Sequence, residues 1–194
     1  MAVKILFPAV VTGLLLSAAA GAAPAGAQQP ASRASWISDS TFIQTAGSVG
    51  LLQVKLGQLA QKKGSSPAVV DFGKRMVADY SKANQDFAAA AKQAAFPSPA
   101  LVRQDQQTFN RFNTLGRSSF DKAYMAEMVK QHIEEVRLFE AESKDGRVQS
   151  LKQLASKMLP DLQQRLAVAT ETAGSIGASV TASAGKPGQS SASR

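Results

Sequence analysis

The stretch MVKQHIEEV, Met128 to Val136, carries the one histidine of a 194-residue chain that contains no cysteine. Imidazole binds transition metals, moves protons near neutral pH and activates nucleophiles, so His132 is the first place to look for chemistry. Glu135 stands three residues further on, which puts a carboxylate beside the imidazole on one face of a helix. A two-metal site in a helical bundle takes a Glu from each of two helices and a Glu-x-x-His from each of the other two. One histidine cannot furnish two such motifs, and the residue three before it is Val129. Nucleophilic routes are equally bare. There is no thiol, and the serines fall in caps, turns and the tail, without a nucleophile elbow. No glycine-rich stretch has the spacing of a phosphate or dinucleotide loop. The carboxylate pairs Glu134-Glu135 and Glu140/Glu142 read as solvated helix faces. Met76, Met125, Met128 and Met158 read as core filling over three helices rather than a copper site. The residues therefore predict no catalytic constellation and no enzyme.

The elements that must position His132 are helical throughout. A first helix is expected to start after a cap at Asp39 or Ser40. It carries Phe42, Ala46, Val49, Gln53, Leu56 and Ala60 on one stripe and stops at Gly64. A second opens with Ser66 as cap and Pro67 in the first turn, with a stripe of Val69, Phe72, Met76, Tyr80, Ala83, Phe87 and Ala90. After FPSPA, Ser98 and Pro99 repeat the cap-then-proline start of a short helix ending at Gly116. A third long helix begins near Ser118 or Ser119, with Met125, Val129, His132, Val136 and Phe139 inward, and ends at Asp145-Gly146. The fourth carries Val148, Leu151, Ala155, Met158, Leu162 and Ala169, with Pro160 expected to kink it. No stretch alternates as a half-buried strand would. The fold class expected is all-α: a four-helix bundle with a short extra helix in the connection between helices 2 and 3, a connection that suits a ferritin-like crossover.

The ends differ from this middle. MAVK, the apolar run ILFPAVVTGLLLSAAAGAA and Ala25-Gly26-Ala27 have the layout of a cleaved secretory signal peptide over residues 1–27. Residues 28–37 read as a flexible lead-in, 38–173 as the bundle domain, and 174–194 as a disordered Ser/Ala/Gly-rich tail. Without cysteine there is no disulfide framework and no lipid-modifiable thiol, which suits an exported protein free of lipid anchoring. No later segment approaches the length of an integral membrane span. The formal net charge of +8 makes this a basic protein drawn to anionic partners. Its basic residues come in pairs at most and its aromatics are not interleaved with them. That pattern argues against nucleic acid and favours charge spread for solubility.

Three phrases carry a family likeness: FIQTAGSVGLLQVKLGQLAQKKGSSPAVVDFGKRMVADYSKAN, SSFDKAYMAEMVKQHIEEVRLFE and LKQLASKMLPDLQQRLAVA. Together, from about Phe42 to Thr172, they resemble the bacterial family called domain of unknown function 4142, DUF4142. Phe72 with Met76, the run Phe120 to Tyr124, and Leu159-Pro160 occur in that family's order. The resemblance implies an exported, ferritin-like helical bundle of the periplasm or outer membrane, with no general activity attached. It also implies a carboxylate and imidazole site inside the bundle. At the matching positions this chain has Gln53 for Glu, Asp79-Tyr80 for Asp-His, His132 retained, and Arg165 for His. Gln53 is a poor transition-metal ligand, and the guanidinium of Arg165 repels a cation. The expectation is a degenerate metal site without cofactor, in which Gln53, Asp79, Tyr80, His132 and Arg165 form a polar cluster and Arg165 pairs with Asp79 or Glu135. The function expected is that of a non-enzymatic binding or envelope-stress protein. One alternative is iron or manganese binding through His132, Asp79 and Glu135. Another is electrostatic binding of anionic envelope components.

Overall fold

Five α-helices make up the described part of the chain: α1 (Ser32–Lys63), α2 (Pro67–Gln93), α3 (Arg103–Thr114), α4 (Arg117–Asp145) and α5 (Gln149–Ser175). The structure is a computed structural model and describes residues 32–179, with side chains from residue 39 onward. Residues 1–27, read as a leader, and most of the tail lie outside the described residues. Among the described residues there is no strand, and no helix is long and apolar enough to cross a membrane.

The amphipathic stripes explain the packing. Every residue of the stripe expected on α2, from Val69 to Ala90, is buried. The helix α1 packs against α2 and α4, and α5 packs against the same two, while α3 lies against α1. Two apolar clusters form inside. One gathers Phe72, Met76, Phe120, Tyr124 and Met125. The other gathers Phe42, Phe87, Phe139, Leu151 and Leu162, with its three phenylalanine rings edge-on or tilted at 5.1–5.8 Å. Where α1 crosses α2, glycines let the backbones meet. A Cβ at Gly73 would stand 2.7 Å from Ala60 Cβ and 2.8 Å from the Gly57 carbonyl oxygen.

Several helix limits differ from the sequence expectation. The helix α1 starts at Ser32, so part of the segment read as a flexible lead-in is helical. Asp39 does not cap its own helix. Its carboxylate accepts from the backbone N–H groups of Arg147 and Val148 at 3.1 and 3.3 Å, at the start of α5. Ser66 makes no side-chain cap bond either. Asp121 of α4 takes the N–H groups of Ser65 and Ser66, just before the helix, at 3.1 and 2.7 Å. A carboxylate accepting from backbone N–H makes a charge-assisted bond, which ties this connection to α4. In the same way Ser48 of α1 accepts from Val102 N–H at 2.9 Å and donates to Asp105, seating α3. That helix begins at Arg103 rather than at Ser98-Pro99. Three of the connections are thus fixed by side chains of helices remote in sequence. Val49 and Val136, expected inward, are only half-buried. Pro160 lies on the exposed side of α5, and the helix continues beyond it to Ser175, past the expected limit at residue 173. Ala178 is also buried, with its N–H on the Ala173 carbonyl at 2.9 Å.

Candidate functional site

Between the two apolar clusters each long helix contributes polar side chains. On α4, His132 and Glu135 fall between Val129 of one cluster and Phe139 of the other. On α2, Tyr80 falls between Met76 and Ala83; on α5, Arg165 falls between Leu162 and Ala169. On α1, Gln53 falls between Ala46 and Leu56. All five are buried, with His132 and Gln53 at 0 % exposure and Arg165 at 7 %. The result is a polar layer across an otherwise apolar interior.

Tyr80 is the hub. Its hydroxyl donates to Glu135 Oε2 at 2.5 Å and lies 3.3 Å from His132 Nε2. The other ring nitrogen, Nδ1, is 2.7 Å from the Met128 carbonyl oxygen. A carbonyl only accepts, so Nδ1 carries the proton and Nε2 of the neutral ring is a bare acceptor. One tyrosine proton cannot serve both Nε2 and an ionised Glu135. If Glu135 holds a proton of its own, its O–H donates to the Tyr80 oxygen and Tyr80 donates to Nε2, which serves both the phenol oxygen and the imidazole.

The electrostatics favour that protonated arrangement. Burial pushes the Glu135 carboxyl up to about 7, against smaller opposing effects of the Tyr80 hydrogen bond and the Arg165 charge. Burial pushes His132 down to about 4; its bond to Met128 opposes this and the Arg165 charge adds to it. Burial and then the Glu135 charge raise Tyr80 well above its ordinary value. Near neutral pH the chain is thus an uncharged imidazole, a phenol and a carboxyl close to its titration point.

Arg165 closes the layer from the α5 side. Its guanidinium carbon lies 4.9 Å over the Tyr80 ring, and its Nε donates to Asp79 Oδ2 at 3.3 Å. Arg75 reaches the same Asp79 oxygen at 3.5 Å, so one carboxylate serves two guanidinium groups. Arg165 Nη1 is buried and has no hydrogen-bond partner. Arg165 therefore pairs with Asp79 and not with Glu135. Gln53 is not bonded to this chain. Its Nε2 donates to Gln131 Oε1 at 3.0 Å, Gln131 donates on to Glu127 at 2.9 Å, and Arg111 completes the line at 2.9 Å. The sequence reading missed Glu127, Gln131 and Arg111. Their only sequence signal was the i,i+4 spacing of Glu127 and Gln131 on α4.

Two carboxylates read as solvated are buried: Glu135 at 4 % and Glu142 at 3 % exposure, whereas Glu134 and Glu140 face solvent. Glu142 sits at the end of α4 beside Asp39. Burial first, then hydrogen bonding to and repulsion from the Asp39 carboxyl, raise Glu142 to about 8.

The donor set does not suit a two-metal centre. Tyr80 occupies both His132 and Glu135, and Asp79 is turned to two arginines. Among the described residues no three His, Cys, Asp or Glu side chains converge as a cation would require.

Fold and site together define an all-helical protein whose interior is crossed by a carboxyl–phenol–imidazole chain and closed by an arginine. The chain belongs to the family described as a domain of unknown function, DUF4142, whose model matches residues 21–172. No curated protein and no solved structure matches it.

Proposed function

We propose that this chain is an exported, periplasmic, ferritin-like four-helix bundle that works by binding rather than by catalysis. In this reading Arg165 supplies the positive charge of the polar layer in place of a metal ion. The observation that carries it is the seat of Arg165, with its guanidinium over the Tyr80 ring and bonded to Asp79. A fixed cation at that place repels a second one, and guanidinium does not ligate. The leader-like layout of residues 1–27 supports export, and the net charge of +8 suits a surface in contact with anionic envelope material.

Purified protein incubated with iron, manganese or zinc and then desalted should retain far less than one metal per chain. Stoichiometric retention that disappears on His132→Ala would overturn the reading in favour of iron or manganese binding through His132, Asp79 and Glu135.

A further inference from the structure

We infer that the groove between α2 and α5 is a binding site for a small zwitterion of the α-amino-acid class, its carboxylate held by Arg165 and its ammonium by Asp161. The groove encloses about 460 Å³ and is walled by Asp79, Lys82 and Asp86 of α2 and by Lys157, Asp161 and Arg165 of α5. That volume suits a ligand of amino-acid to dipeptide size.

Two observations set the ligand's chemistry. The first is the state of Arg165. It lines the groove though only 7 % exposed, its Nε donates to Asp79, and that carboxylate is shared with Arg75. A guanidinium whose one carboxylate partner is shared keeps donor capacity for a second carboxylate, which it holds by a charge-assisted hydrogen bond. The second is the state of the walls. Ion pairs among the described residues join Lys74 to Asp71, Arg75 and Arg165 to Asp79, and Arg111 to Glu127. Lys82, Asp86, Lys157 and Asp161 line one groove and yet pair with nothing in that set.

The spacing then selects the class. Asp161 stands four residues before Arg165 on α5, so their Cβ atoms are about 5–6 Å apart. That matches a carboxylate and an ammonium on one carbon, each hydrogen-bonded outward. Ala83, Leu154 and Met158 give an apolar surface for a side chain. The three acids among those walls disfavour a dianion such as phosphate, because like charges at close range repel.

This inference rests on the groove and not on the absence of a metal, so the two tests fail separately. Isothermal titration with leucine, acetate, propylamine and inorganic phosphate, on the full chain at low salt, examines it. Leucine should bind saturably at or below about 1 mM, and each of the other three at least about tenfold more weakly. Arg165→Lys should weaken leucine and acetate alike. Asp161→Asn should weaken leucine about tenfold and leave acetate unchanged. Asp161 is exposed, so that variant reports on the site even where Arg165→Lys disturbs folding, which circular dichroism checks. No saturable leucine binding up to about 10 mM would overturn the inference. So would phosphate binding as tightly as leucine, or an Asp161→Asn affinity equal to that of the parent.

Discussion

The Tyr80 hydroxyl of α2 and the Glu135 carboxyl of α4 meet at 2.5 Å, and both side chains are buried. This bond joins two helices that do not follow one another in the chain, and Tyr80 is the hydrogen-bond partner that the Glu135 carboxyl has there. Tyr80→Phe takes that partner away while keeping the ring under Arg165. The expected cost is about 1–3 kcal/mol, the usual penalty for stranding a buried polar group. Urea unfolding near pH 7 measures it. The exchange also strips His132 Nε2 of its neighbour, so the cost should lie toward the upper part of that range.

Tyr124 is the control for this argument. It is equally buried, stacks on Phe120 at 5.4 Å, and its hydroxyl has no hydrogen-bond partner. Tyr124→Phe removes an unsatisfied polar group and nothing else. It should therefore leave stability unchanged or raise it by about 1 kcal/mol. A loss comparable to that of Tyr80→Phe would mean that the two hydroxyls are equally well served.

The pH dependence of stability follows from three buried groups. Folding keeps a proton on Glu135 up to about pH 7 and on Glu142 up to about pH 8. The unfolded chain releases both near pH 4.3. The folded state therefore binds more protons over that interval, and stability falls as pH rises through it. His132 acts in reverse. It is pushed down to about 4, below its unfolded value near 6.5, so its contribution is lost as pH falls from 6.5 to 4. Above pH 6.5 only the two carboxyls act, so the decline should be steepest between about pH 6.5 and 7 and should continue on Glu142 alone to about pH 8. Urea midpoints from pH 4.5 to 8.5 should peak on the acid side of neutrality. Glu135→Gln should flatten the slope between about pH 4.3 and 7.

How much of this was legible in the sequence depends on the kind of contact. The inward stripe of α2 could be read residue by residue because helical period and apolar type agree there. The burial of Glu135 and Glu142 could not. Each sits near a solvent-facing twin, Glu134 or Glu140, and composition treats such neighbours alike. What distinguishes Glu135 is a hydroxyl 55 residues upstream, and what distinguishes Glu142 is the carboxyl of Asp39 on another helix. The start of α2 was legible, since it opens at Ser66 with Pro67 in its first turn. The tie that holds the connection before it was not, because Asp121, which accepts from Ser66 N–H, lies 55 residues away. The family likeness placed Asp79, Tyr80, His132 and Arg165 near one another. It also included Gln53, which instead joins Gln131 on a separate line.

The crossing of α1 over α2 gives a prediction that runs against helix propensity. Alanine is a better helix former than glycine by about 1 kcal/mol. At Gly73 a Cβ would come within 2.7 Å of Ala60 Cβ and 2.8 Å of the Gly57 carbonyl oxygen. Neither neighbour is the end of a flexible side chain, so the helices must move apart. Gly73→Ala should therefore destabilise by about 1–3 kcal/mol despite its favourable propensity. Gly174→Ala, where a Cβ meets nothing within 4 Å, should not. Thermal melts of the two variants side by side check this.

At the α4–α5 turn, Asp39 caps the start of α5 while Glu142 lies beside it with one carboxyl oxygen unpaired. Retaining its proton to about pH 8 lets Glu142 tolerate this neighbour. Above that pH a second negative charge develops in a buried space, and Gly146 leaves little room to move: a Cβ there would stand 2.6 Å from Glu142 Oε1. The turn should then open before the rest of the fold. Amide hydrogen exchange at Arg147 and Val148, corrected for the intrinsic effect of pH, should lose protection between about pH 7 and 9 while amides in the middle of α2 keep theirs. Glu142→Gln places a neutral amide at the same position and should preserve that protection. Asp39→Ala should lower it at every pH, with a cost of about 1 kcal/mol for the lost cap. If Glu142→Gln leaves the alkaline loss intact, the strain at this turn comes from a group other than the carboxyl pair.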